Sequence, residues 1–468
     1  RRHCSAVGPA IDGEQCPLNG RPSTCQTGGV SAAVNFHGQQ TPAGGPACFA
    51  PSMNLYFFPD GQVRTCCRNS DALGVIGDDR LPDIWHGSAR AQVVAALERF
   101  EYSGGCAGCG NEVALEGRES AYPATFERFV KHPVDGAWPQ RMEFNLSNSC
   151  NLQCIQCNGD LSSSIRIHRE GKAPLPNPYD DVFFADLRTF IPHLNWAQFA
   201  GGEPFMAAEN YRVWEMIHEL NSHVSCHVVT NATQWNARVE RIVTRVPMGF
   251  VFSIDAVTKP LYESIRIGAD FDQVMANVER FRAVAAGHGT SASINFCLMA
   301  QNFHDFGNLL LYAEERGMRV DVSVVRDPEK ASVAFMDPSD LRDAFDYLER
   351  QSEQVASQLA INLDVWHSEV ARVGAWSQAS TSSIQQAKEQ WVTIRPPYRS
   401  HILNFPVVGA GPHDGLAARA RLVKSSGGSV HEARIDEADR VSGVSDSFAQ
   451  LLGVSPAALI GKDVSVLP

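Results

Sequence analysis

Three cysteines on one short loop constrain this chain more than any other feature. Cys150-Asn-Leu-Gln-Cys154-Ile-Gln-Cys157 follows an apolar, strand-like run at 142–146. Thiolates this close together can hold three irons of a cubane cluster and leave the fourth iron without a protein ligand. An open position on a metal centre is where chemistry occurs, whereas a fully ligated one is structural. The competing reading is tetrahedral zinc, which needs a fourth ligand, and His168 is the nearby candidate. The other cysteines also group. Cys106 and Cys109 form a pair, with Cys48, Cys66 and Cys67 upstream of it. A chain of 468 residues with 13 cysteines is too large to need disulfide staples, and the count is odd. This usage points to iron–sulfur chemistry in a reducing cytoplasm. Cys226 and Cys297 each stand alone in apolar runs and read as buried hydrophobic residues. Cys4, Cys16, Cys25 and Cys67 receive no role.

The pattern around these groups divides the chain. Residues 1–45 are rich in Gly, Pro, Ser and Thr without a period and read as a disordered or loop-rich segment. Residues 46–112 read as a small cysteine-rich α+β unit. Strand runs at 55–58 and 62–65 flank Pro59-Asp60-Gly61, and a helical face of Val93, Ala96, Leu97 and Phe100 is ended by Gly104-Gly105. From 138 to 330 strand and helix alternate, with strands at 142–146, 197–200, 226–230, 250–254, 294–299 and 320–325. Helical faces between them include Val213, Met216, Ile217 and Leu220, then Phe271, Val274, Val278 and Phe281, then Phe306, Leu309, Leu310 and Ala313. Six such units predict an α/β fold, a partial (β/α)6 TIM-like barrel whose site lies at the carboxyl ends of its strands. Residues 331–400 read as a helical extension and 401–430 as a linker. The Gly-x-Gly-x3-Gly spacing over Gly409, Gly411 and Gly415 lacks a surrounding βαβ unit and belongs to that linker.

The cysteine loop resembles the signature of the radical S-adenosylmethionine superfamily, Cys-x3-Cys-x2-Cys. Downstream, Gly201-Gly202-Glu203-Pro204 follows the second strand. It matches the superfamily's Gly-Gly-Glu-Pro motif, which contacts the amino group of the bound methionine moiety. Two glycines allow close backbone approach, and a carboxylate suits an ammonium group. The resemblance also implies that Asn231, Ser253 and Asp255, at the ends of the third and fourth strands, line the cofactor site. Arg266 is a candidate partner for the cofactor's carboxylate. Two positions depart from the pattern. Gln156 stands where relatives carry an aromatic beside the adenine, and Ala256 stands where many carry Gly.

The upstream unit resembles the SPASM and twitch auxiliary-cluster domains. It shows Cys-x12-Gly-x4-Cys over Cys48, Gly61 and Cys66, then Cys106-Ala-Gly-Cys109. Four thiolates would close a second four-iron cluster, with Cys67 as a spare or alternate ligand; a zinc knuckle is the alternative. Relatives carry this domain after the barrel, whereas here it comes first. The segment 431–468 resembles the first third of a PAS sensor domain. It is too short to bury a core, which, with Arg1 in place of Met, suggests a fragment. The resemblance implies an enzyme with two 4Fe-4S clusters that reductively cleaves S-adenosylmethionine to a 5′-deoxyadenosyl radical for hydrogen abstraction. It implies a peptide or protein substrate, and an electron donor such as a flavodoxin or ferredoxin. The alternative is a non-catalytic redox or signalling protein coupled to the PAS-like end. A net charge of −12 argues against nucleic acid as a partner. No apolar run reaches the ~18 residues of a membrane helix. No secretory signal is visible at the N-terminus, so a cytoplasmic location is expected.

Overall fold

The computed structural model describes residues 45–379, except 117, 119, 120, 131–135 and 326. It also describes 381, 382 and 384, and the backbone of 421–426, 429–435 and 441–444. The segment 1–44 and nearly all of the PAS-like end lie outside the described residues, as do most of the linker and the last part of the helical extension.

A nine-stranded, mostly parallel sheet organises the molecule. Its strands are β1 (Asn54–Phe57), β2 (Gln62–Arg64), β3 (Gly74–Val75), β4 (Arg141–Phe144), β5 (Trp196–Phe199), β6 (Ser225–Thr230), β7 (Met248–Ser253), β8 (Ala292–Leu298) and β9 (Arg319–Val324), ordered β3-β2-β1-β4-β5-β6-β7-β8-β9. From β4 to β9 every neighbour is parallel and in chain order. Sequential parallel pairing requires a crossover at each step, and helices supply it. Val213 and Ile217 of Ala208–Leu220 are buried, as are Val274, Val278 and Phe281 of Phe271–His288. Phe306, Leu309, Leu310 and Ala313 of Phe306–Glu315 complete the apolar layer. All six strands expected from sequence are present, each within two residues of its predicted start.

The upstream unit is not a separate body beside this sheet. β1 pairs in parallel with β4, and β2 and β3 add antiparallel strands at the same edge. Phe57, Phe144 and Phe199 stack across β1, β4 and β5, with ring centroids 5.4 and 5.0 Å apart. Each such pair contributes about 0.5–1.5 kcal/mol beyond burial. Leu55, Phe57, Val63, Ile84 and Trp85 belong to the main core. The unit also keeps a smaller core of its own, with Met53, Tyr56, Phe58, Leu97 and Phe126 packed around Cys48 and Cys66. The β1–β2 turn needs Gly61, whose φ is +90° and where a Cβ would lie 2.7 Å from the Ile76 carbonyl oxygen.

Two expectations are corrected. The helix Ser88–Glu98 ends well before Gly104-Gly105. Phe100 takes the left-handed conformation (φ 59°) and Glu101 N donates to the Ala96 carbonyl, a Schellman-type stop in which Phe100 replaces the usual glycine. Gly104 instead opens the short turn that carries Cys106 into the helix Ala107–Glu116. Within the predicted linker, Arg421–Ser426 forms a strand that pairs antiparallel with Ser429–Ile435, and Val441–Val444 adds a third. The pairing runs from Arg421 with Arg434 to Ser426 with Ser429. After the sheet come the helices Pro338–Ala356 and Leu363–Ser377.

Candidate functional site

The three-cysteine loop leaves the carboxyl end of β4 and is held on two sides. Gln153 N and Ile155 N donate to the carbonyls of Ile267 and Ile265 at 2.8 and 3.0 Å. Ser162 Oγ donates to Leu152 O at 2.7 Å while capping the helix Ser163–His168. On the opposite side lies the Gly-Gly-Glu-Pro turn. Gly202 N donates to Ser147 O (3.1 Å) and Glu203 N to Ser149 O (2.7 Å), the residue before Cys150. A Cβ on Gly202 would lie 2.3 Å from Ser149 O, and Gly201 has φ +104°. Both glycines are therefore required by close packing of the turn against the loop.

Cys150, Cys154 and Cys157 line one cavity of about 380 Å³. Gly201, Gly202, Asn231, Ser253 and Arg266 line it too, so the tertiary fold brings these predicted residues together. Three others stand behind the wall. Glu203, 1% exposed, accepts from Thr230 Oγ1 and Asn231 N (each 2.8 Å) and from Phe205 N (3.2 Å). Burial raises its carboxyl to about 7, against these stabilising donors. Pro204 is buried at the start of a short turn. Asp255 is fully buried and accepts from Gln156 Nε2 (2.6 Å), Arg266 Nη2 (2.8 Å) and Cys297 N (2.8 Å). Arg266 closes the helix Lys259–Ile265 and has its carboxylate partner within the protein; its guanidinium also lies 3.9 Å from Cys154 Sγ. Asn231 Nδ2 lies 3.8 Å from Cys150 Sγ.

The upstream cysteines converge elsewhere. Cys48, Cys66, Cys106 and Cys109 line a small cavity of about 20 Å³, closed by Asn69, Tyr102 and Tyr122. Burial pushes the Cys106 thiol up to about 12 and raises Cys48, Cys66 and Cys109. Thiols held this way must lose protons when a metal binds. Cys226 and Cys297 are buried, as expected of lone cysteines in strands.

Cys67, read as a spare or alternate ligand, does not line that small cavity. It lines the larger cavity and shares a 3.2 Å hydrogen bond with Tyr122 Oη. Adjacent residues 66 and 67 thus serve different cavities. Cys66→Ala is expected to remove about four irons from the reconstituted chain and Cys67→Ala none. Iron analysis with low-temperature electron paramagnetic resonance checks this, and equal losses would refute the assignment.

Sequence reasoning passed over much of the cavity wall: Tyr56, Phe58, Glu143, Asn145, Gln198, His227, Asn295 and Asp321. A signal was available. Strands buried on both faces of a parallel sheet read as continuous apolar runs. Here Glu143 and Asn145, then Ser293 and Asn295, interrupt such runs at alternate positions, marking one polar face.

With this geometry in place, comparison with known proteins adds one assignment. Residues 48–110 match the SPASM family, an iron-sulfur cluster-binding domain. This stretch is therefore a SPASM-type iron–sulfur unit, and the resemblance read from Cys48, Cys66, Cys106 and Cys109 is borne out. No curated protein matches by sequence. Solved structures with partial similarity include SuiB of Streptococcus suis bound to S-adenosylmethionine, at 19% identity and TM-score 0.35 over 47% of this chain and 48% of that one. AnSMEcpe with bound AdoMet matches at 15% identity and TM-score 0.33, over 45% of this chain and 61% of that one. A radical SAM methyltransferase from Sphaerobacter thermophilus matches at 16% identity and TM-score 0.25, over 37% and 52%. The aligned part spans about half the length of SuiB. Among the described residues no helix is long and apolar enough to cross a membrane.

Proposed function

We propose that the chain is a radical S-adenosylmethionine enzyme acting on a peptide or protein. In this reading β4 to β9 form a partial barrel, and the Cys150 loop holds a 4Fe-4S cluster beside the bound cofactor. The observation that carries the reading is the shared cavity: three cysteines and the Gly201-Gly202 turn line one space at the carboxyl ends of the strands. The chemistry of the donor set fits the group. Three thiols separated by 3 and 2 intervening residues leave one position of a cubane for a further ligand.

When bound, the cluster and S-adenosylmethionine supply a carbon radical for hydrogen abstraction, and the protein supplies position and water exclusion. Gly201 and Gly202 admit the methionine end of the cofactor close to backbone. Glu203 orients that rim through Thr230 and Asn231, while Asp255 fixes Gln156 and Arg266. The Arg266 guanidinium beside Cys154 offsets negative charge gathered on the loop. The Cys48–Cys109 unit holds a fully ligated second cluster for electron transfer or scaffolding. SuiB has been crystallised with its precursor peptide SuiA, and anSMEcpe with peptides, in keeping with a peptide substrate here.

Anaerobically reconstituted protein given dithionite and S-adenosylmethionine is expected to form 5′-deoxyadenosine, and Asp255→Asn to slow this at least about tenfold by releasing Arg266 and Gln156. Chromatographic detection of the nucleoside is the test. A full cluster complement without product, with peptides present, would overturn the reading.

A further inference from the structure

We propose that the inner cavity wall is a specificity site for a cationic substrate side chain, an ammonium or guanidinium, held by Glu143 and Asn145. The proposal rests on the function above and names the chemistry its substrate must present. Glu143 (2% exposed) and Asn145 (3%) lie two residues apart on the strand segment that leads to the cysteine loop, so they share one face. Each carries a buried oxygen without a hydrogen-bond partner, Glu143 Oε2 and Asn145 Oδ1. Their other atoms are committed. Glu143 Oε1 accepts from Arg141 and from Asn54 Nδ2 at 3.0 Å, and the Asn145 amide donates to Tyr56. Nearer the cysteine loop, Gln156 Oε1 is a third buried, unpartnered acceptor on the same cavity.

Leaving a buried acceptor unsatisfied is costly, and only a donor offsets that cost. Ammonium and guanidinium groups donate without accepting, whereas a primary amide brings a carbonyl that needs a donor of its own. A carboxylate would add a fourth set of lone pairs to the wall. Arg266, a cation already facing the cavity, is paired with Asp255. The Tyr56 ring on the adjoining wall also favours a cation, while the Phe58 ring beside it already carries the Arg64 guanidinium 4.4 Å from its centroid. These two aromatics come from the SPASM unit and the acceptors from β4 and its extension, so the site is built across the β1–β4 seam.

The test uses reconstituted holoprotein saturated with S-adenosylmethionine and four probes: n-butylammonium, n-butylguanidinium, n-butanamide and butyrate. Binding is read by saturation-transfer NMR. The two cations are expected to bind and compete with each other, and butyrate to be rejected. Glu143→Gln should weaken cation binding about tenfold. Asn145→Asp, which adds a carboxylate at the same wall, should tighten it. Butyrate binding as well as butylammonium would overturn the proposal, as would unchanged cation binding in Asn145→Asp. The latter arm decides the matter if Glu143→Gln fails to fold around Arg141. Iron content and S-adenosylmethionine binding are measured on the same samples. Their loss counts against the proposed function, whereas failure of the probes alone counts against this site.

Discussion

Replacing Cys150, Cys154 and Cys157 together by Ala is expected to halve the iron of the reconstituted chain, from about eight to about four atoms, and to abolish S-adenosylmethionine binding. The size of the effect follows from the separation of the two groups. The three loop cysteines face the cavity of about 380 Å³, whereas Cys48, Cys66, Cys106 and Cys109 face one of about 20 Å³. No cysteine lines both, so one site can empty while the other stays filled. The remaining cluster, with four thiolates, should show no spectral change on addition of S-adenosylmethionine. Iron analysis, Mössbauer spectroscopy and equilibrium binding are the measurements. Complete loss of iron would mean that the sites assemble as one. A cofactor-induced change in the remaining signal would mean an open iron in the SPASM unit and an incomplete ligand set there.

Gly202→Ala is expected to be almost as damaging to the same site, although it removes no ligand. Its Cβ would lie 2.3 Å from Ser149 O and 2.7 Å from Asn148 C, and neither is the far end of a flexible side chain. One of the two segments must move, and Ser149 precedes Cys150 directly. Forcing atoms into a packed site costs about 1–3 kcal/mol. The expected result is an iron content falling toward four, with the SPASM cluster retained and the melting temperature lowered by several degrees. Gly287→Ala is the control, because no atom lies within 4 Å of its added Cβ and the position is helical. That variant should melt at or slightly above the parent temperature, since Ala favours a helix over Gly. Full iron content in Gly202→Ala would show that the turn does not position the loop.

The packing around Glu203 changes how one further variant should be read. Motif matching places this carboxylate on the cofactor's amino group. In the fold it accepts hydrogen bonds from protein groups, namely Thr230 Oγ1, Asn231 N and Phe205 N. An amide at this position would turn an NH2 toward a donor on at least one side. Weaker cofactor binding in Glu203→Gln therefore reports displacement of Asn231 as much as loss of charge.

Much of the architecture was legible without coordinates. Strand runs of Val, Ile and Phe separated by helical periods specify parallel pairing, because short crossovers leave few other arrangements. The Cys150 loop and the Gly201-Gly202 turn were legible because cluster ligation and close backbone approach restrict residue type and spacing within a few positions. The SPASM resemblance was legible in the spacing of Cys48, Gly61 and Cys66, where Gly61 takes the left-handed conformation its turn needs.

Other features depended on the tertiary structure, because they arise between segments distant in the chain. The parallel pairing of β1 with β4 joins residues 54–57 to 141–144 and merges the auxiliary unit with the main core. No local pattern encodes that partner choice, since an apolar strand fits many edges. The opposite destinations of Cys66 and Cys67 follow from where β2 ends relative to that seam. The commitment of Arg266 to Asp255 requires the end of one helix to meet the end of β7. The polar wall of Glu143, Asn145 and Gln156 becomes a site only when the strands enclose a cavity, because a polar residue in a strand acquires a function from what it faces.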